Sequence, residues 1–256
     1  MNREHQLHPY LGRRTPIPFA HRGGAADGIE NTAAAFRRAA GLGYRYFETD
    51  VHATADGRLV AFHDATLDRL TDAAGRIRDL PWSEVADARV AGREPLPLFA
   101  DLLAEFPAAR WNVDVKAEAA LLPLLDLIRE ADAWDRVCVG SFSEARVARA
   151  AHLAGPRLAT SYGVRGVLGL RLRSLGVPAF VRAGAVCAQV PVEHAGVRVA
   201  DRRFLTWAHA RGLQVHVWTV NDPDRMGALL DLGADGIMTD HLETLRTVFE
   251  ARGVWR

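Results

Sequence analysis

After residue 110 the chain repeats one unit, a short apolar β-rich run followed by a helical stretch. The runs fall at 111–115, 137–141, 157–161, 185–190, 213–219 and 235–239. The helical stretches lie at about 118–131, 144–153, 165–175, 201–211, 222–232 and 241–252. Strands separated by helices run parallel, because each helix carries the chain back along the sheet. Gly212 and Gly233 stand at helix ends, where a left-handed residue is wanted. Asn221-Asp222-Pro223 supplies a helix cap with proline near the first turn. Earlier runs at 17–20 and 44–52 bring the strands to eight. The pattern predicts an α/β chain folded as a (β/α)8 TIM barrel.

Residues 53–110 interrupt the repeat. They contain a short hairpin, turn-like Asp72-Ala73-Ala74-Gly75, Pro81, and Pro95-Leu96-Pro97 before a helix at about 98–106. We read 1–256 as a single barrel domain with a small insertion, 53–110, between the second and third barrel strands. A barrel of this size needs no staples to hold its core.

In such barrels chemistry gathers at the C-terminal ends of the strands. His21-Arg22-Gly23-Gly24 follows the run Ile17-Pro18-Phe19-Ala20, with Glu30-Asn31-Thr32 soon after. A titratable imidazole, a guanidinium fork and bare backbone suit an anionic, phosphate-like ligand. The same residues also serve an ordinary strand-to-helix turn capped by Asn31 or Thr32.

In the second strand Glu48 and Asp50 share a face, where like charges repel unless a cation lies between them. Oxygen ligands of this kind suit a hard divalent cation, Mg²⁺ or Ca²⁺; two carboxylates facing solvent are the alternative. His52 shares their face. The turn Asp56-Gly57 leads through Arg58–Phe62 to His63-Asp64. His21 and His63 thus both end strands, as a general acid and a general base could. In the third strand alternation sets Asn112, Asp114 and Lys116 on one face and Val113 and Val115 on the other. Asp114 could add a third carboxylate to the cation and Lys116 a point charge for phosphate; a plain buried Asp-Lys pair is the other reading.

These segments, taken in order, resemble the glycerophosphodiester phosphodiesterase family. The resemblance rests on His-Arg-Gly with Glu-Asn-Thr, Glu-x-Asp-Val, and His-Asp-x-Thr-Leu-Asp-Arg-Leu-Thr at 63–71. It continues through Asn-Val-Asp-Val-Lys at 112–116, Trp-Thr-Val-Asn at 218–221 and Asp-Gly-Ile-Met-Thr-Asp at 235–240. It implies His21 and His63 as the catalytic pair, Arg22 and Lys116 as phosphate-binding residues, and Glu48, Asp50 and Asp114 as metal ligands. Glu30 would lie at the metal end, and Trp218 would line the substrate side or act as a plain core residue. Many members carry Glu where this chain has Asp114, so metal distance or ion preference could differ; Glu118 is a weaker substitute.

The implied reaction is metal-dependent hydrolysis of a small-molecule glycerophosphodiester to glycerol 3-phosphate and an alcohol. Two rivals share these residues. One is a lysophospholipase D with an acyl groove built from Leu168, Leu170, Phe180 and Val181. The other is a protein that binds glycerophosphodiesters without cleaving them.

Composition narrows the context. Thirty-two basic and 31 acidic residues leave a formal net charge of +1, with no broad footprint for nucleic acid. The three arginines between Arg165 and Arg173 read as a solvated helix face. No apolar run approaches the ~20 residues that span a bilayer, so stable membrane insertion is not expected. Residues around Arg3, Glu4, His5 and His8 lack the apolar core of a signal peptide, and a cytoplasmic location is the expectation. Cys138 and Cys187 fall in strands four and six, which are not neighbours, and read as buried thiols. His194, His209, His216 and His241 read as surface or structural residues. Oligomeric state leaves no signal.

Overall fold

The computed structural model describes residues 7–12, 16–25 and 28–255. The N-terminal residues 1–6, on which part of the signal-peptide reading rests, lie outside them. Eight parallel strands carry the fold: β1 (Ile17–His21), β2 (Tyr46–Ala53), β3 (Arg110–Val115), β4 (Val137–Gly140), β5 (Ala159–Thr160), β6 (Cys187–Pro191), β7 (Gln214–Trp218) and β8 (Gly236–Thr239). Their order is β5-β4-β3-β2-β1-β8-β7-β6. A parallel bridge from Ser161 to Cys187 joins the two ends of that path, so the barrel is nearly closed.

Helices return the chain between strands: α1 (Ala33–Gly41), α2 (Phe99–Glu105), α3 (Leu121–Glu130), α4 (Glu144–Ala154), α5 (Val164–Ser174), α6 (Arg202–His209), α7 (Pro223–Leu232) and α8 (Leu242–Ala251). Their starts follow local chemistry. Thr32 accepts from the Ala35 amide, Ser143 from Arg146 and Asp222 from Arg225, each relieving an orphan N–H of a first turn. The run expected at 157–161 forms only a two-residue strand, because Gly155–Arg157 is taken into a 3-10 turn.

Alternation sorts β3 into two environments. Trp111, Val113 and Val115 are fully buried in the main hydrophobic core, while Asn112 and Asp114 stand on the opposite face. Asn112 accepts from Gln189 at 2.7 Å, satisfying two polar groups inside the barrel. Tyr10 and Leu11 pack with Cys138, Ala159 and Cys187. The two thiols are free and buried. Although their strands are not neighbours, the two cysteines pack in one cluster. His216 is fully buried and its Nε2 lies 3.2 Å from Gln214 Oε1, so it is an interior residue and not a surface one.

Between β2 and α2 the chain builds a second, smaller packing unit. The strand Leu59–Ala61 pairs antiparallel with β2. Val60, Phe62, Leu67, Ile77, Val85 and Val90 form a cluster separate from the barrel's core. It lies between the second and third barrel strands, within the expected 53–110 but ending before α2, and it delivers His63 and Asp64. No helix among the described residues is long and apolar enough to cross a membrane.

Candidate active site

β1 ends in a tight turn whose geometry makes the site possible. Arg22 takes a left-handed backbone conformation (φ 53°), and Gly23 and Gly24 follow with φ of 78° and 95°. A Cβ on Gly23 would meet that of Ala35 at 2.9 Å, and one on Gly24 would meet Leu242 at 2.8 Å. The two glycines therefore let the turn pack against α1 and α8; they do not clear space for a ligand. The strained Arg22 is held in place. Its amide donates to Glu48 Oε2 at 3.1 Å, its Nη1 to Glu30 Oε1 at 2.9 Å, and its Nε lies 3.2 Å from Asp50 Oδ2.

Asn31 also has positive φ (60°) and caps nothing; Thr32 is the cap. Instead Asn31 donates to Asp50 at 3.0 Å and accepts from Thr49 at 2.7 Å, fixing the second strand's carboxylate. Glu30 lies against two arginines: its Oε1 accepts from Arg22 and, at 3.1 Å, from Arg69 of the insertion.

Each histidine has its own carboxylate. His21 Nδ1 lies 2.6 Å from Asp240, the residue after β8, whose other oxygen accepts from Asn221 at 2.9 Å. His63 Nδ1 lies 2.6 Å from Asp64, which Arg69 grips through two nitrogens. Because a carboxylate only accepts, Nδ1 is the donor in both pairs and Nε2 is left for chemistry. Burial pushes the His21 imidazole down, but Glu48 and Asp240 outweigh it and raise it above its ordinary value. The Arg69 hydrogen bonds hold Asp64 at about 2.

Lys116 bridges Asp50 at 2.8 Å and Asp114 at 2.7 Å. Burial alone would lower it; the two carboxylates carry it up to about 12, so it stays charged. Burial likewise works against the Asp50 carboxylate, yet Lys116 and Arg22 bring it below its usual range. Glu48 is less compensated. Burial, then the charge of Asp50, push it up to about 7.

That imbalance bears on a metal. Glu48, Asp50 and Asp114 offer only carboxylate oxygens, the donors a hard divalent cation prefers. An under-neutralised Glu48 beside Asp50 is a group such a cation would relieve. Their donor chemistry fits. Among the described residues, however, no group of three or more His, Cys, Asp or Glu is spaced as a metal cage, and Lys116 stands between Asp50 and Asp114. Glu118 pairs with Arg146 and Arg149 instead.

His21, Arg22, Glu48, Asp50, His63, Asp114, Lys116 and Trp218 all line one cavity of about 640 Å³ at the C-terminal ends of the strands. The structure thus brings together both histidines, Arg22, Lys116, Trp218 and the three carboxylates singled out in the sequence, while Glu30 and Glu118 do not line the cavity. His52 does not reach the cavity; its Nε2 lies 3.2 Å from the His63 carbonyl and braces that segment. Trp218 faces Phe142, ring centres 5.7 Å apart, so it belongs to the wall and not to a sealed core.

The model of the glycerophosphoryl diester phosphodiesterase family matches residues 21–244. A Mycobacterium tuberculosis protein named probable glycerophosphodiester phosphodiesterase 2 is 41% identical over 244 residues, 93% of this chain and 92% of that one. The chain belongs to the glycerophosphoryl diester phosphodiesterase family. As a member it is an enzyme, a phosphoric diester hydrolase. The lysophospholipase D GDPD1 of Homo sapiens is 25% identical, over 89% of this chain and 84% of its own. Among solved structures, a phosphodiesterase from Oleispira antarctica in complex with the product sn-glycerol-3-phosphate superposes with a TM-score of 0.77. It is 21% identical, with 92% and 97% of the two chains covered. That likeness adds the barrel to the family assignment.

Sequence reading missed Asp240, Asn221 and Arg69 as supports, although all three stand in the motifs it quoted. For Asp240 and Asn221 the available signal was a place just past a strand; Arg69 lies in a turn of the insertion and had none. What the sequence reading lacked was the pairing of β1 with β8, which sets Asp240 beside His21.

Proposed function

We propose that this chain hydrolyses glycerophosphodiesters to glycerol 3-phosphate and an alcohol, acting as one barrel domain with its 53–110 insertion. One observation carries the reading: two histidines, each held through Nδ1 by its own carboxylate at 2.6 Å, line a cavity that also presents Arg22 and Lys116. A phosphodiester is anionic and resists attack until its charge is met. Arg22 and Lys116 take the non-bridging oxygens. One histidine accepts a proton at Nε2 from the attacking hydroxyl, water or the substrate's own glycerol 2-hydroxyl. The other donates a proton to the departing alcohol oxygen. Glu48, Asp50 and Asp114 would hold a Mg²⁺ or Ca²⁺ ion, which when bound supplies Lewis-acid neutralisation of the phosphate.

The test is release of glycerol 3-phosphate from glycerophosphocholine after EDTA treatment, then with Mg²⁺ or Ca²⁺ restored. Release should vanish with EDTA and return with one of the ions. Persistent full activity in EDTA would exclude the metal; silence under every condition would exclude the substrate.

Asp240→Asn is expected to lower kcat by about 10²-fold with little change in KM, because the amide no longer fixes the His21 tautomer. Unchanged kcat would remove Asp240 from the machinery.

A second reading, lysophospholipase D action, is favoured by the cavity's outer wall of Phe142, Val164, Val167, Leu168, Val197 and Val199. The four residues expected to form an acyl groove divide differently. Leu168 lines the cavity, Leu170 is buried in the core, Val181 packs against the core and Phe180 projects outward. Choline release from lysophosphatidylcholine, with none from glycerophosphocholine, would select this reading.

A further inference from the structure

The rim of the catalytic cavity is unlike the rest of the surface. Large apolar side chains stand exposed around it: Phe142, Leu168 and Val197 at 58% each and Val164 at 52%. All four also line the cavity, so the apolar surface runs from its interior out to solvent. Phe180, 91% exposed, lies on the adjoining loop, whose backbone packs against Gly169 of α5. An apolar patch at a pocket mouth marks a contact surface more often than scattered exposed residues do.

Charge has the same address. Residues 163–203, which supply α5, the loop and the short Glu193–Arg198 hairpin, contain seven arginines against two acidic residues, a net +5. The whole chain has +1, so the remainder is net negative. Asp201, one of the two acids, is held by Arg171 in a paired contact at 3.0 and 2.6 Å. Arg165, Arg173, Arg198 and Arg202 are exposed. Basic side chains beside exposed apolar ones are the composition of an interfacial lipid contact, in which the apolar groups enter the acyl boundary and the guanidinium groups meet phosphates. An acidic protein surface would match the charge, but it would not account for an apolar lining continuous with the catalytic cavity.

We propose that this rim is a docking surface for an anionic lipid bilayer, seated so that the cavity mouth faces the membrane. The surface contact is peripheral and needs no spanning helix. It changes the meaning of the arginines from Arg165 to Arg173, which as sequence alone read as a solvated face. In combination with the function proposed above, on which only this clause rests, the enzyme would take amphiphilic diesters directly from the bilayer.

The test is sedimentation of the purified chain with vesicles of phosphatidylcholine alone or with about 30% phosphatidylglycerol, at low and high salt. Binding should require the anionic lipid and weaken with salt. Phe180→Asp and, separately, the pair Arg165→Glu/Arg173→Glu should each cut vesicle partitioning at least about 10-fold. None of these residues lines the cavity, so turnover of soluble glycerophosphocholine should not change, which also reports folding. No binding to either vesicle, or anionic binding that survives both variants, would overturn the proposal. So would a lipid-free dimer that Phe180→Asp dissolves, since the rim would then be covered by a second copy. Vesicle binding without turnover of any diester would sink the catalytic reading and leave the docking surface intact; turnover without vesicle binding would do the reverse.

Discussion

His63→Ala is expected to lower kcat by at least about 10²-fold, the usual contribution of one positioned acid or base. His21→Ala should do the same. The double variant should cost much less than the product of the two, because groups acting on one transition state are not additive. KM should move little in either, since on the proposed reading Arg22 and Lys116, not the histidines, meet the phosphate. Single-turnover measurements on both variants would decide it. Near wild-type turnover in either one, with cation binding retained, would refute the assignment of that histidine. Asp64 makes a graded companion: it holds His63 at 2.6 Å without entering the reaction, so Asp64→Asn should fall between the wild type and His63→Ala.

The largest loss of stability should come from Trp111→Ala. Trp111 is fully buried, with the rings of Phe36, Phe47, Phe99 and Phe106 at 4.9, 5.1, 5.5 and 6.1 Å. It joins β3 to α1, α2 and the second strand in one aromatic cluster, most of whose contacts are edge-to-face, a favourable arrangement. Truncation removes the indole's transfer energy and leaves a void that rigid neighbours cannot fill. The expected cost is about 3–5 kcal/mol, or a fall in Tm of roughly 10 °C for a chain of this length. A thermal melt measures it directly. A shift below about 3 °C would mean that the cluster collapses onto the gap.

The barrel was legible in the sequence because its signal is redundant. Six strand-helix units each restate the period, and Gly233 and Asp222-Pro223 mark ends with residues that do little else as well. The site residues were legible because they stand at or just past strand ends, as His21, Arg22, Lys116 and Trp218 do, or share one strand face, as Glu48 and Asp50 do. Three things were not. The fifth strand was read at 157–161, but its short extent was not legible, because Gly155–Arg157 turns as a 3-10 helix. The Asp240–His21 pair joins residues 219 apart in sequence, and only barrel closure brings them together. The two thiols read as ordinary core and His216 as a surface or structural residue, because a strand pattern does not tell how narrow the space inside the barrel is. Asn31 and the glycine pair were legible as a turn, yet their partners lie far off in sequence: β2 for Asn31, α1 and α8 for the glycines.

The two histidines proposed as acid and base are divided between two cores. His21 ends a strand of the barrel, whereas His63, Asp64 and Arg69 are carried by the small cluster around Phe62 and Ile77. That cluster can open as a cooperative unit while the barrel remains folded, since local units open at free energies below the global one. Activity and global unfolding should then part company on heating. Turnover should fade while far-ultraviolet ellipticity is still native, and amides of residues 59–98 should exchange with solvent faster than those of β3. The working temperature of this enzyme would be set by its smaller half.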